Sequence, residues 1–430
     1  MSPQHPVRLV VTDDLQRSRL TVLFRVVLAI PHVIWALVWT IAALAAVIVN
    51  WFATLIAGRS PAALHRFLAS YVRYITHLSA YLGLAANPYP GFTGSDAYPI
   101  DVEIDGPAPQ RRLVTLFRIV LGVPAFAFAA AFFGMFPGGS WSSDGDTGRA
   151  QGASTNSGIV WTVAFLAWFA ILAIKRMPHG FRNLQAYGLR YGAQALAYFF
   201  LLTDRYPNLD PADPPSSGPP HPVGITVTDD LRRSRVTVFF RLLLALPHLV
   251  WLVLWGIAAF FALIASWFAT LVRVDDEDVR YGRTPQALHR FLATYLRYSL
   301  HVEAFLSLAA NPFPGFTGTP GSYPVDAELP EPERQNRVVT LFRLPLSFPA
   351  FAVSGALFAL AFFAALFGWF VALALGRLPQ SLRDAQAYVI RYGLQTSAYL
   401  FLLTERYPFS GPTIGEPEPP AENVEGAVAA

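Results

Sequence analysis

A frame of two prolines and an arginine, repeated four times in one register, constrains this chain more than any other feature. It reads Pro61, Arg73, Pro90; Pro178, Arg190, Pro207; Pro285, Arg297, Pro314; and Pro379, Arg391, Pro408. Each arginine lies twelve residues after the first proline and seventeen before the last, and a tyrosine follows it every time. The flanking residues are largely apolar, so the frame sets a guanidinium inside an apolar segment in all four copies. Self-similarity on this scale marks a tandem repeat, which has to be recognised before any element is assigned.

The solvent for such a chain follows from its composition. Hydrophobic residues make up 54% and charged residues 14%, with a mean hydropathy of +0.40. These values favour a polytopic membrane protein over a soluble one. A net charge of +4 over 430 residues is too small and dispersed for a nucleic-acid partner. Lys175 is the only lysine, so arginine is simply this chain's basic residue and its abundance carries no function. The absence of cysteine excludes disulfides, thiolate metal sites, cysteine nucleophiles and cysteine lipidation. Met1 to Arg19 mixes charges of both signs without a signal-peptide pattern, so the first apolar segment is expected to stay as an anchor.

Every unit opens with an alternating, β-branched stretch after a proline: Pro6 to Val11, Tyr98 to Glu103, Pro222 to Val227 and Tyr323 to Glu328. That pattern reads as a short extended strand. Thr12-Asp13-Asp14 and Thr228-Asp229-Asp230 then supply helix N-caps. An arginine with a proline six residues on comes next: Arg25/Pro31, Arg118/Pro124, Arg241/Pro247 and Arg343/Pro349. The apolar run beyond it ends in Trp51-Phe52, Trp168-Phe169, Trp267-Phe268 and Trp369-Phe370. Units one and three share Pro-His and Ala-Leu-His-Arg-Phe-Leu, whereas units two and four share Gln-Ala-Tyr and an acidic-Arg-Tyr-Pro ending. A duplicated pair explains this, giving two pseudo-equivalent halves.

The expected fold is an all-α transmembrane, polytopic helical bundle of four tandem repeats, each opening with a short strand. Its units are residues 1–93, 94–212 (with a polar insert at 137–158), 213–318 and 319–410. The proline-dense linker Asp210 to Pro220 joins the halves, and the acidic tail 411–430 is expected to be disordered. Val26 to Ala57 gives 32 apolar-dominated residues, more than the roughly 20 that cross a bilayer. One long span plus the Arg-Tyr span per unit gives eight; a bent first run gives twelve and inverts neighbouring units. Leu44 to Ala57 is only fourteen residues, which favours eight. The insert's Gly, Ser and Asp cannot face lipid, so the midpoint of that run belongs at a surface. Arginine is balanced between the two sides and does not orient the chain; the missing signal peptide and the insert favour cytoplasmic termini.

On a helix, Arg66, Arg73 and His77 share a face. Arg290, Arg297 and His301 repeat them, and the even units set Asn183, Arg190, Gln194 and Asp384, Arg391, Gln395 at the same offsets. The candidate polar stripe is therefore Arg73, His77, Arg190, Gln194, Arg297, His301, Arg391 and Gln395. A central arginine costs roughly 2.5–3.5 kcal/mol, on the order of 10–14 for four, so the stripe must face the interior, a cleft or lipid phosphates. Arg25, Arg118, Arg241 and Arg343 are read as interface anchors near each span's entrance, and the Trp-Phe pairs as an aromatic belt. Eight of the nine histidines match between the halves, which duplication explains without a metal. Glu303, opposite Ser79 in the first half, is not repeated. The chain holds no Gly-x-Ser-x-Gly elbow, Walker loop, dinucleotide fingerprint or His-Glu-x-x-His. Gly91 to Gly94 and Gly315 to Gly318 are tight turns.

The Tyr-Pro-Val-type strands, the Arg-x5-Pro pattern, the Trp-Phe pairs, the Gly-Arg-x-Pro turn and Leu201 to Pro207, nearly repeated at Leu402 to Pro408, resemble the bacterial membrane family called domain of unknown function 4389. The resemblance covers residues 6 to 409 as four units and implies an integral membrane location without implying a reaction. The odd units depart from it by ending in Asn-Pro-Tyr-Pro and Asn-Pro-Phe-Pro. The expected function is a non-enzymatic, multi-pass cell-membrane protein, a scaffold or lipid-interacting component. The alternatives are a transporter or channel for a small anionic solute, and a lipid-modifying enzyme. Expected partners are the lipid bilayer, with lipid headgroups or other membrane proteins, and neither cofactor, metal nor nucleic acid.

Overall fold

The computed structural model describes residues 5–94, 97–134, 158–211, 221–272 and 279–412. Most of the insert, linker and tail expected above lies outside them. The chain divides into two compact units, Met1–Asn208 and Leu209–Ala430, each mostly helical.

In the first unit β1 (Val7–Val11) pairs antiparallel with β2 (Ile100–Ile104), Val7 facing Ile104 and Val11 facing Ile100. Alternation buries Val7, Leu9, Ile100 and Val102 on one face of this ribbon. Between the strands run α1 (Arg19–Leu28), α2 (Ile30–Ala57) and α3 (Ala62–Leu82). After β2 come α4 (Arg112–Leu116), α5 (Arg118–Leu121), α6 (Val123–Phe133), α7 (Gly158–Ile174) and α8 (His179–Phe199). Pro31 and Pro124 sit in the first turns of α2 and α6, where a missing N–H costs nothing. Gly58, at φ +72°, ends α2 in a left-handed cap.

α3 contacts both the ribbon and α2. Its Arg73 and His77 reach Asp101 of β2, while Tyr71 meets Thr40 and Tyr74 meets His32 on α2. At 100° per residue these are two different faces of one helix, centred about 110° apart, and only the first turns of α3 are exposed. α2 runs antiparallel to α3, with His32 beside Tyr74 at one end and Asn50 bonded to Ser60 at the other. α3 and α8 are also antiparallel to each other. The end of α3 meets the start of α8, where Arg17 donates to the Leu84 carbonyl and Met177 to that of Leu15. The start of α3 meets the end of α8 through Gln110, which bonds both Gly58 and Leu201. An eight-span chain with two crossings per unit would instead hold α3 and α8 parallel.

The second unit repeats this plan. β3 (Gly224–Val227) pairs with β5 (Val325–Glu328), around α9 (Arg235–Val272) and α10 (Gln286–Leu306). A second ribbon joins β4 (Tyr281–Arg283) to β6 (Arg334–Asn336). It leads to α11 (Arg337–Leu341), α12 (Arg343–Leu375) and α13 (Gln380–Leu400). Here Pro247 and Pro349 lie inside unbroken helices.

Among the described residues three helices are long and apolar enough to cross a membrane: Ile30–Ala57, Arg241–Val272 and Arg343–Leu375, at hydropathies of 2.3, 2.4 and 2.4. The Arg-Tyr helices α3, α8, α10 and α13 do not qualify, because their polar stripe lowers their hydropathy. The long helices bury one narrow face each. On α2 it is His32, Ala43, Asn50 and Thr54, leaving Ile34, Leu37, Ile41, Ile48 and Ile56 exposed.

Candidate functional site

The polar stripe is built onto the ribbons. Asp101 accepts from Arg73 Nη2 at 2.7 Å and pairs with His77 Nε2 at 2.8 Å, on carboxylate oxygens Oδ2 and Oδ1. His77 also stacks on Tyr98, whose hydroxyl donates to the Pro88 carbonyl. Burial alone would raise the Asp101 carboxyl. Hydrogen bonds from His77, Arg73 and the Val102 amide outweigh it and hold the group well below the usual carboxylate range. In the second unit Asp326 pairs with His301 at 2.8 Å and Arg297 at 3.4 Å. The Gly321 and Ala327 amides complete its set, and its carboxyl is likewise held down against burial.

The even-unit stripe is spent on backbone. Gln194 donates to the Val7 carbonyl at 3.0 Å and accepts from the Asn208 amide at 2.8 Å, while Arg190 donates to the Asn208 carbonyl. Gln395 does the same to Val223 and Phe409, and Arg391 donates to the carbonyls of Phe409 and Gly411. Val7 faces Ile104 and Val10 faces Asp101, so each unit's ribbon carries its two stripes at opposite ends. Arg66 and Arg290 stay exposed.

Arg25, Arg118, Arg241 and Arg343, each about 2% exposed, clamp helix ends. Arg25 Nη1 donates to the carbonyls of Tyr81 and Ala86 at 2.7 and 2.9 Å. Arg118 bonds those of Tyr198 and Thr203, Arg241 those of Phe305 and Ala310, and Arg343 those of Tyr399 and Thr404. Each clamp closes the end of α3, α8, α10 or α13, where a cation also meets the negative end of the helix dipole. Beside each lies a leucine at positive φ: Leu84, Leu201, Leu308 or Leu402. A left-handed leucine is costly, and the clamp holds the turn that requires it.

Four charged partners were not singled out from sequence. Asp101 and Asp326 read as alternating strand positions. Arg17 and Arg233, bonded to Asp13 and Asp229 and to the carbonyls of Leu84 and Leu308, lie in the polar link. The indoles of Trp51, Trp267 and Trp369 donate to the carbonyls of Thr115, Thr340 and Val238, so those rings join elements.

Chemically these arrangements fix backbone. Among the described residues no three His, Cys, Asp or Glu side chains gather as a metal site would require. Neither the curated proteins nor the solved structures yield a match. The family model for Domain of unknown function (DUF4389) matches residues 19–93, 154–209, 235–317 and 337–410, and the chain belongs to that family.

Proposed function

We propose that this protein is a non-enzymatic, membrane-embedded scaffold of the cell envelope whose long helices are solvated by lipid. The observation that carries the reading is the side-chain distribution on α2, α9 and α12. Leu37, Ile41, Leu242, Val253, Phe358 and Phe370 all stand more than half exposed, far more apolar surface than a soluble monomer leaves bare. The stripe arginines make contacts to backbone and to Asp101 or Asp326, which supports an architectural role for them.

The anion-transport alternative draws less support, because a permeating anion would have to displace those partners. A lipid-modifying enzyme draws less support, because the His77–Asp101 and His301–Asp326 pairs are engaged in joining strand to helix. The test is flotation of the expressed protein with membranes after carbonate washing, followed by anion flux in proteoliposomes. The expected result is retention in the membrane and no flux. Release by carbonate, or a flux lost in a folded Arg73→Gln, Arg297→Gln variant, would overturn the proposal.

A further inference from the structure

We infer that each half is immersed in a single leaflet, with its long helices lying along the membrane plane and none of them crossing. The inference rests on the membrane embedding proposed above and fixes which surface meets the lipid.

The first reason is where the charge lies. The ribbon β1–β2 packs beside the middle of α3, since its Asp101 binds Arg73 and His77. The ribbon's outer face carries Arg8, Glu103 and Asp105, with side chains 38, 60 and 51% exposed. α2 runs alongside α3 on another face, about 110° round the helix. Level with His32, the ribbon lies beside the start of α2; were α1 and α2 to cross a bilayer as one long element, that charged face would still lie within the hydrocarbon, at up to roughly 2.5–3.5 kcal/mol for each charge. A two-stranded ribbon also has open edges, which hydrocarbon does not tolerate. Turned so that the layers stack along the membrane normal, the same molecule puts α2 in acyl chains and the ribbon in water.

The connection from α3 to α8 gives the second reason. The end of α3 adjoins the start of α8, and α4 to α7 run back toward that end, so the chain leaving α3 must first travel to the opposite end of α3. It does so through β2 and the loop to Gln110, which bonds back to Gly58 at the start of α3. If the helices crossed, this stretch of strand and loop would have to cross as well.

Length argues the same way. Exposed apolar side chains run along α9 from Val236 to Val272, and its 38 residues rise about 57 Å. To fit the roughly 30 Å of hydrocarbon it would tilt by about 58°, beyond the range of roughly 0–40° seen for crossing helices.

The polar insert gives the fourth reason. Gly158 abuts Phe132 and Gly134, and the Trp161 indole donates to the Phe133 carbonyl at 3.1 Å. Gly134 and Gly158 therefore adjoin midway along the second long element, and the sequence between them includes Asp144, Asp146 and Arg149. A crossing element would set Gly134 and Gly158, the two flanks of this polar sequence, in hydrocarbon; an in-plane one sets them at the headgroups.

The cysteine-free chain makes the test direct. Gln16→Cys, Arg59→Cys and Glu103→Cys, all at exposed positions, mark the two ends of α1–α2 and the ribbon. They are read in sealed proteoliposomes with a membrane-impermeant maleimide added outside, and again after the vesicles are opened. Single-leaflet immersion requires all three to label from one and the same side. Labelling of Gln16→Cys and Arg59→Cys from opposite sides, or protection of Glu103→Cys in opened vesicles, would overturn it. Carbonate extraction of the same preparations separates the two failures. Released protein overturns the membrane reading itself, whereas retained protein with opposite-side labelling overturns only the in-plane placement.

Discussion

Arg25 lies over the ring of Tyr81, 4.4 Å from guanidinium carbon to centroid, and donates to the carbonyl of that same tyrosine. The side chain thus holds one residue twice, by its π face and by its backbone. Arg343 repeats the geometry on Tyr399 at 4.5 Å. Hydrogen bonds to a charged group contribute roughly 1.5–3 kcal/mol each. Arg25→Met removes the bonds to Tyr81 and Ala86, two longer ones to Asn87 at 3.4 Å and the cation–π contact, so a loss of about 3–5 kcal/mol is expected. Arg25→Lys should recover less than half, because an ammonium cannot reproduce the planar fork. The melting temperature in detergent reads both. Arg112, exposed and bonded only to the Ile56 carbonyl, is the comparison, and Arg112→Gln should change stability by less than about 0.5 kcal/mol.

Asp101 joins strand to helix through Arg73 and His77, so Asp101→Asn removes the ion pair while leaving an acceptor for His77. A loss of about 1–3 kcal/mol is expected. Asp326→Asn should cost more, because its side chain is 11% exposed against 20% for Asp101. Both folded carboxyls titrate below the unfolded value. The stability they add is therefore full above about pH 4 and disappears as the pH falls through the folded value. Acid unfolding of Asp101→Asn should accordingly be shallower than that of the parent below pH 4. Curves of equal steepness would show that the pair contributes nothing.

The histidines at the ribbon starts respond at milder pH. The Val7 amide donates to His5 Nδ1 at 3.0 Å and the Val223 amide to His221 at 3.1 Å. Burial pushes both imidazoles down to about 4. Between that value and the ordinary 6.5 the unfolded chain binds more protons than the folded one, so stability rises with pH. It should be full above pH 6.5 and fall on acidification toward pH 4, by at most about 3 kcal/mol per histidine. His5→Asn with His221→Asn keeps an acceptor for the amide and removes the titration. The melting temperature of that double variant should fall less than the parent's from pH 6.5 to 4.5, where other buried imidazoles such as His65 and His289 still bind protons on unfolding.

Local and long-range information divide the sequence reading. The framing prolines mark the helix starts, since Pro61, Pro178, Pro285 and Pro379 each precede the first residue of α3, α8, α10 or α13. Strand alternation marked β1, β2, β3 and β5, because period two is visible within five residues. What Arg25 does was not legible there. Its acceptors are 56 and 61 residues away, and a residue beside an apolar run looks the same whether it meets a headgroup or a carbonyl. Asp101 was hidden for the same reason, its partners lying 28 and 24 residues back. The number of spans is hard to read because an apolar run shows that a helix is long and apolar enough to meet lipid and not the direction in which it lies. Only the antiparallel placement of α3 and α8 brings direction in.

The turn Gly315-Phe316-Thr317-Gly318 offers a contrast within four residues. A Cβ on Gly315 would meet nothing within 4 Å, whereas one on Gly318 would fall 2.6 Å from the Thr294 carbonyl oxygen, at a φ of +61°. Gly318→Ala thus incurs about 1–2 kcal/mol of left-handed strain and a further 1–3 of overpacking against α10. Gly315→Ala should be near neutral. The turn also seats Phe316, which stacks on His248 at 4.3 Å and accepts the Trp251 indole through its carbonyl at 3.1 Å. Displacing Gly318 from α10 should free that indole. A shift in tryptophan emission is therefore expected in Gly318→Ala and not in Gly315→Ala, with Trp251→Phe in the same background abolishing it. An unshifted spectrum in a destabilised Gly318→Ala would mean that the turn is anchored to α10 independently of the His248–Phe316 stack.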